Sequence, residues 1–288
     1  LIVNNTIGSN PARLKYIVFR GNITFNEWAT GTSTLVGQAN AAGAIAVGAA
    51  RYDNAPPFTG PLSIESFSSI GGTFVNGVQR NKPELVGPDG ANTTVNLGGD
   101  YDHDGNSFSN FFGTSAAAPH AAGVAALIME GRKKYLSGNP STTPDQVRTI
   151  LQNTATDITT APATSGFDFS SGYGFINADA AMRTFAAPDP TLIQLVVPPT
   201  VTPGPSAFLL TVTGVNLSPT SVIYIRDVPL TTTVLNSGAA TAMIPAFTGN
   251  PSISVVTPPI SSGGQDGGTS NILNFFDPVK KKIIVTAD

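Results

Sequence analysis

The sequence predicts two architectures in series: an α/β region of mixed strands and helices with a buried helix over residues 31–186, then an all-β sandwich over 191–277. Three observations predict this. The segment from Ala116 to Met129 is almost wholly Ala, Gly, Val, Leu, Ile and Met. A helix apolar on every side belongs in a protein interior. Further on, short β-rich runs recur between turns: Leu192–Val197, Ala207–Val212, Val222–Ile225, Thr231–Leu235, Ala239–Ile244, Ile253–Val256 and Ile272–Phe276. Seven short strands at this spacing suggest a sandwich. Between the two regions, residues 187–190 read Ala-Pro-Asp-Pro, the composition of a linker.

The remaining elements follow from punctuation. Residues 1–30 hold two strand-like runs, Leu1–Val3 and Leu14–Phe19, around Gly8-Ser9-Asn10-Pro11. That is a hairpin signal, and it reads as the tail of an inserted β-domain. Within 31–186 one helix starts near Ser115 and a second near Pro144. Thr143-Pro144-Asp145-Gln146 has the form of a capping box, with Thr143 as N-cap and Pro144 at the first helical position. Residues 278–288 carry a basic run and then Ile283-Ile284-Val285-Thr286, the start of a following β-domain or a linker.

Composition narrows the class. There is no cysteine, so neither a disulfide framework nor thiol chemistry is available. Only 11% of residues are charged, and the formal charge of −3 argues against a nucleic-acid footprint. No run of eighteen apolar residues spans a membrane. The chain opens inside an apolar run without Met and reads as a piece of something longer. This balance agrees with a secreted or cell-surface protein.

The chemistry concentrates in Gly113-Thr114-Ser115-Ala116-Ala117-Ala118-Pro119-His120-Ala121-Ala122-Gly123. A serine hydroxyl is a poor nucleophile and must be placed and activated. Gly113 and Thr114 make a tight, small-residue approach to a helix start, which leaves Ser115 at the helix N-terminus. There unpaired backbone N–H groups and the positive end of the dipole suit a developing oxyanion. Pro119 fits because it lies within the first turn or so, and Gly123 with the alanines permits close approach of neighbouring strands. The plain alternative is a buried Ala-rich helix with Ser115 as its N-cap.

The stretch resembles the nucleophile motif of the subtilisin-like serine proteases, G-T-S-x-A-x-P-H-x-x-G. Other segments resemble that family in its own order. Ala44-Ile45-Ala46-Val47-Gly48-Ala49 is similar to its core strand, and Phe67-Ser68-Ser69-Ile70-Gly71 to the loop that follows. Lys82 through Gly90 resembles its K-P-D-x-x-A-P-G turn, with Gly87 where Ala is usual and Asp89 inserted before the glycine. Gln146 through Leu151 fits the next helix, and Gly172 through Met182 its G-x-G-x-x-N-x-x-A-A ending. The resemblance covers about residues 31–186 and implies that its strands there are parallel, in part of a subtilisin-like α/β layer. In the second region, Phe208 through Leu217 resembles the L-x-V-x-G-x-N-F signature of TIG/IPT immunoglobulin-like domains, as do Ala242-Met243-Ile244-Pro245 and Ser270-Asn271. Gly214 is expected to supply a left-handed turn, and Asn216 a side-chain bond within it.

A serine protease also needs a histidine base and an acid that orients it. In this family's order both precede the serine. His120 lies about 140° around and about 7.5 Å along the same helix from Ser115, so it is read as structural. His103 lies in a polar loop, Asp102-His103-Asp104-Gly105, without the family's H-G-T start. The family's Asp-[Ser/Thr]-Gly strand end is also absent. The resemblance therefore implies that His and Asp come from upstream sequence. Asn22 matches the oxyanion asparagine in spacing, but Arg20 breaks the small-residue pattern and the segment fits the inserted β-domain better. Asp100, Asp102 and Asp104 alternate before Gly105, the way calcium loops converge hard oxygens. The EF-hand pattern fails at position twelve, which is Phe111, and the alternative is a solvated acidic loop.

The resemblance implies a secreted, bacterial serine endopeptidase acting on protein or peptide substrates, here in its C-terminal part. Ser115 is the expected nucleophile, no cofactor is required, and calcium at the acidic loop is the one metal considered. The missing N-terminal part of the same protein is the expected partner, and this chain alone should be incomplete. A non-catalytic pseudoprotease scaffold and a surface adhesin built from β-modules stay open. Few aromatics besides Tyr224 are placed to face a carbohydrate.

Overall fold

The structure is a computed structural model that describes residues 8, 23–27, 31–58, 60–102 and 105–276. The hairpin expected in 1–30 and the strand expected after Lys280 lie mostly or wholly outside the described residues. The chain divides into two units. One comprises residues up to His120 with Thr156–Phe175, and the other Ala121–Ala155 with residues from Ile176 onward.

In the first unit, β1 (Val47–Arg51) pairs in parallel with a later strand. A small hairpin follows, β2 (Phe74–Val75) with β3 (Val78–Gln79). Next come β4 (Leu85–Asp89), which is the partner of β1, and β5 (Ala91–Thr93), which pairs with β6 (Ser109–Phe111). The core strand thus starts at Val47 rather than Ala44, and the segment read as a K-P turn is mostly strand. Tertiary pairing explains the second difference, because each residue from Leu85 to Asp89 faces one of β1 from Val47 to Arg51.

Ala46 sits just before the ladder, where its N–H donates to Glu84 Oε2 at 2.6 Å. The other Glu84 oxygen meets the Lys82 ammonium, and both side chains are buried. A buried ion pair of this kind persists only with its remaining valences filled, here by Ala46 N–H and the Ala44 carbonyl. Ala50, Ala55, Val86, Ile158, Ala163 and Phe175 form the unit's core.

Helix α1 (Thr114–Tyr135) is longer than its apolar run predicts, and Pro119 is its sixth residue, in the second turn rather than the first. Proline has no N–H to serve the Ser115 carbonyl. The helix is also not interior all round. Ala116, Ala117, Ala121, Ile128 and Gly131 are buried, but Ala118, Pro119, Ala122, Gly123 and Ala126 are exposed. Leu127 and Met129 are 52% and 50% exposed. A Cβ at Gly123 would meet nothing within 4 Å, so no strand of the described residues approaches there. A helix apolar all round needs partners on every side, and the described residues supply them on only some.

Helix α2 (Pro144–Thr154) begins with the predicted capping box. Gln146 N–H donates to Thr143 Oγ1 at 3.3 Å and Thr143 N–H to Gln146 Oε1 at 2.9 Å. Its Val147 and Leu151 are buried. Helix α3 (Ala178–Arg183) is capped by Asn177, whose Oδ1 accepts from Ala180 N–H at 2.9 Å.

Among the described residues the sandwich has nine strands where seven runs were predicted: β7 (Thr191–Val196), β8 (Phe208–Val215), β9 (Val222–Ile225), β10 (Val228–Pro229), β11 (Thr232–Asn236), β12 (Ala239–Ile244), β13 (Ser252–Thr257), β14 (Gly268–Thr269) and β15 (Leu273–Asn274). One sheet runs β11-β12-β8-β7, and the other β10-β9-β13-β14 with β15 also on β13. Alternation sets which residues face inward. Leu210, Val212, Ile223, Ile244, Ile253 and Val255 are wholly buried between the sheets.

The turn after β8 differs from expectation. Asn216, not Gly214, takes the left-handed conformation, at φ 62°. Gly214 stays in the strand, where a Cβ would lie 2.2 Å from the Thr191 carbonyl oxygen. Asn tolerates this φ better than most residues with a side chain. Ala187 is held by two bonds, its N–H to Asp266 Oδ2 at 2.7 Å and its carbonyl from Gly267 N–H at 2.8 Å. No described helix is long and apolar enough to cross a membrane.

Candidate active site

The site is built where β4 meets the start of α1. Gly87 lies against the helix, and a Cβ there would stand 2.6 Å from the Ala117 carbonyl oxygen. That contact accounts for Gly87 where the motif usually has alanine. The chain then turns through Gly113 at φ 119°, a region that side chains oppose. The Gly113 carbonyl accepts from Ala116 N–H at 2.9 Å and Ala117 N–H at 3.2 Å. Gly113 therefore holds the cap position, and Ser115 is the second helical residue rather than the N-cap. Ser115 is exposed, and neither its hydroxyl nor its N–H has a hydrogen-bond partner among the described residues. Such a hydroxyl still needs a base before it can attack a carbonyl, while a free helix-terminal N–H is suited to hold an oxyanion.

His120 Nδ1 lies 2.8 Å from the Ala116 carbonyl oxygen, one turn back on its own helix. His103, Asp104 and Asn22 lie outside the described residues. In the acidic loop, Asp102 Oδ2 accepts from Tyr52 Oη at 2.6 Å and from Asn110 Nδ2 at 2.7 Å. Asn110 also takes the Tyr101 N–H at 2.6 Å and gives to the Gly90 carbonyl at 2.8 Å, so one buried amide ties the loop to the end of β4. Asp100 precedes this pinned stretch. Among the described residues no three acidic or histidine side chains converge into a metal cluster.

Charged groups that sequence reasoning gave no role gather at the C-terminal ends of β1 and β4, the end at which open α/β sheets place their sites. Arg51 pairs with Asp53 at 2.6 Å and lies 5.4 Å from the Phe112 ring centre. The bond from Arg51 holds the Asp53 carboxyl below its ordinary value. Burial pushes the Glu65 carboxyl up, and Asp89 nearby adds to the shift. Asp89 is wholly buried, and burial raises its carboxyl too. Its Oδ2 accepts from Gly113 N–H at 2.8 Å. The signal that could have found Asp89 was the extra residue between Pro88 and Gly90.

The sequence profile of the subtilase family matches residues 4–174, and that of the IPT/TIG domain matches residues 190–275. The first match spans more than half of the 288 residues, and the chain belongs to the subtilase family. It reaches back to residue 4, through the stretch read as an inserted β-domain. The chain is similar to alkaline elastase YaB of Bacillus sp. (strain YaB), with 32% identity over 155 residues, covering 51% of this chain and 35% of that protein. Fervidolysin of Fervidobacterium pennivorans is 30% identical over 147 residues, 44% of this chain and 18% of that protein. Subtilisin BL of Lederbergia lenta is 30% identical over 149 residues, 51% of this chain and 49% of that protein. The chain thus spans less than half the length of each of these relatives.

Proposed function

We propose that this chain is the C-terminal part, through residue 186, of the peptidase domain of a secreted subtilisin-like serine endopeptidase, joined to a TIG-like sandwich over 191–277. Ser115 attacks the peptide carbonyl of a protein substrate, and its backbone N–H helps hold the oxyanion. The observation that carries this reading is the exposed Ser115 with a free N–H, set at the start of α1 by the Gly113 turn, within a segment that matches the subtilase family. The base and its orienting acid come from sequence outside these 288 residues, which hold neither motif. The exposed face of α1 around Leu127 and Met129 supports that partner, since it is apolar surface of the kind that marks an interaction site.

The test uses the full-length protein and a fluorophosphonate probe of active serines. The wild type should be labelled, and Ser115→Ala should lose labelling and peptide hydrolysis, by on the order of 10⁶ in kcat. Hydrolysis at the wild-type rate by that variant would reject the assignment. A folded wild type that is never labelled would favour the non-catalytic scaffold. Calcium at Asp100, Asp102 and Asp104 remains part of the proposal, supported by the alternating carboxylates. Against it, Asp102 already has two donors in a network that needs no ion. A melting temperature that rises in millimolar calcium and ceases to rise in Asp102→Ala would establish the site; no rise in the wild type would remove it.

A further inference from the structure

Asp89 departs from the motif it sits in, since the family's turn passes from proline directly to glycine and this chain places an acid between Pro88 and Gly90. An extra carboxylate in a loop would ordinarily face water. This one is wholly buried at the end of β4, opposite Arg51 of β1. Burial of an acid is unfavourable unless it is hydrogen-bonded. Asp89 is only half satisfied, because Oδ2 takes the Gly113 N–H and Oδ1 has no partner. Burial lifts its carboxyl, while the Gly113 N–H and Arg51 pull it back and Asp53 pushes it further up. Glu65 also faces this cluster. A group kept at that cost has a task, and the geometry of its one bond says which.

Gly113 has no side chain with which to cap α1, and its φ of 119° bars the residues that cap well. Its carbonyl already serves Ala116 and Ala117. Its N–H is the other handle on the same residue, and Asp89 holds it. With both groups of Gly113 fixed, the two peptide units leading to Ser115 have little freedom. The apolar packing at this corner also fits: a Cβ on Gly90, the residue after Asp89, would lie 2.7 Å from the Phe112 ring, the residue before Gly113.

We propose that Asp89 is the positioning residue of the nucleophile: through the Gly113 N–H it fixes the turn that aims Ser115 and its backbone N–H at the scissile carbonyl. This rests on the reading of Ser115 as nucleophile. Asp89 touches no substrate and acts only through Gly113. A displacement of about 1 Å in a reacting group costs on the order of 10²-fold in rate. Loss of the anchor should therefore fall on kcat and leave KM nearly unchanged.

The experiment compares full-length wild type with Asp89→Ala, Asp89→Asn and Ser115→Ala, each checked for folding by circular dichroism. Asp89→Ala should lower kcat about 10- to 100-fold with KM within about twofold. Asp89→Asn keeps an oxygen acceptor for Gly113 and should restore kcat to within about threefold of wild type. The proposal is overturned if folded Asp89→Ala keeps wild-type kcat, if it raises KM alone, or if Asp89→Asn is as slow as Asp89→Ala. Should Asp89→Ala not fold, Asp89→Glu replaces it; one added methylene displaces Gly113 and must lower kcat, and an unchanged kcat overturns the proposal. Ser115→Ala separates the two readings. If it hydrolyses like wild type, the nucleophile assignment has failed, whatever Asp89 does. If it is inactive while the Asp89 variants behave as wild type, only the positioning role has failed.

Discussion

The sandwich and the nucleophile helix bury their apolar residues by opposite means. In the sandwich, alternation along β8, β9, β12 and β13 turns one side of each strand inward, and two facing sheets close over Leu210, Val212, Ile223, Ile244, Ile253 and Val255. All the partners those residues need are encoded within residues 192–275. Helix α1 is apolar without alternation, so it needs neighbours all round, and Leu127 and Met129 lack them here. The difference teaches that burial read from composition is a demand for partners. Whether they are present depends on how much of the domain the chain holds.

The largest test of this contrast is separation. A polypeptide of residues 186–276, which keeps Ala187 with Asp266, should unfold cooperatively on heating, while residues 31–185 alone should aggregate or show no cooperative transition. A cooperative melt from 31–185 would break the comparison. Next come single side chains. Leu210→Ala should cost about 2–5 kcal/mol in denaturant unfolding. Leu127→Ala in this chain should change stability by no more than about 0.5 kcal/mol. In full-length protein the same Leu127→Ala should cost on the order of 2 kcal/mol or more if upstream sequence covers α1. Equal, small effects in both would show that the face stays open.

Smaller still is the cap of α2. Thr143→Ala removes one half of the capping box and should cost about 1 kcal/mol, a purely local effect that separation of the regions leaves unchanged. A loss under about 0.3 kcal/mol would show that packing of Val147 and Leu151 holds the helix without it.

The smallest effect is a pH slope. Burial raises Asp89 above its ordinary 3.8, so the native state binds that proton more tightly than the unfolded chain. Its contribution is complete below 3.8 and is lost as pH rises through the native value. Glu65 shifts the same way, and Asp53 the opposite way. Asp89→Asn should therefore flatten the fall in melting temperature as pH rises above 3.8. An unchanged slope would mean the carboxyl does not titrate in that window.

Local chemistry was legible in the sequence wherever a few adjacent residues decide the outcome. Thr143 through Gln146 fixed a helix start, Gly113 and Ser115 fixed a turn into another, and the β-rich runs Val222–Ile225 and Ala239–Ile244 between turns fixed two strands to the residue. These are matters of steric limits, capping and β propensity between turns, which act over a few residues of chain. Tertiary structure decided the rest. It alone showed that Lys82 through Gly90 is largely strand, because that depends on β1 some forty residues earlier. It alone moved the left-handed turn from Gly214 to Asn216, because Gly214 is needed where β8 passes the Thr191 carbonyl. And it alone gave Asp89 a role, since an acid beside a glycine reads as a surface turn until the distant Gly113 N–H is found against it.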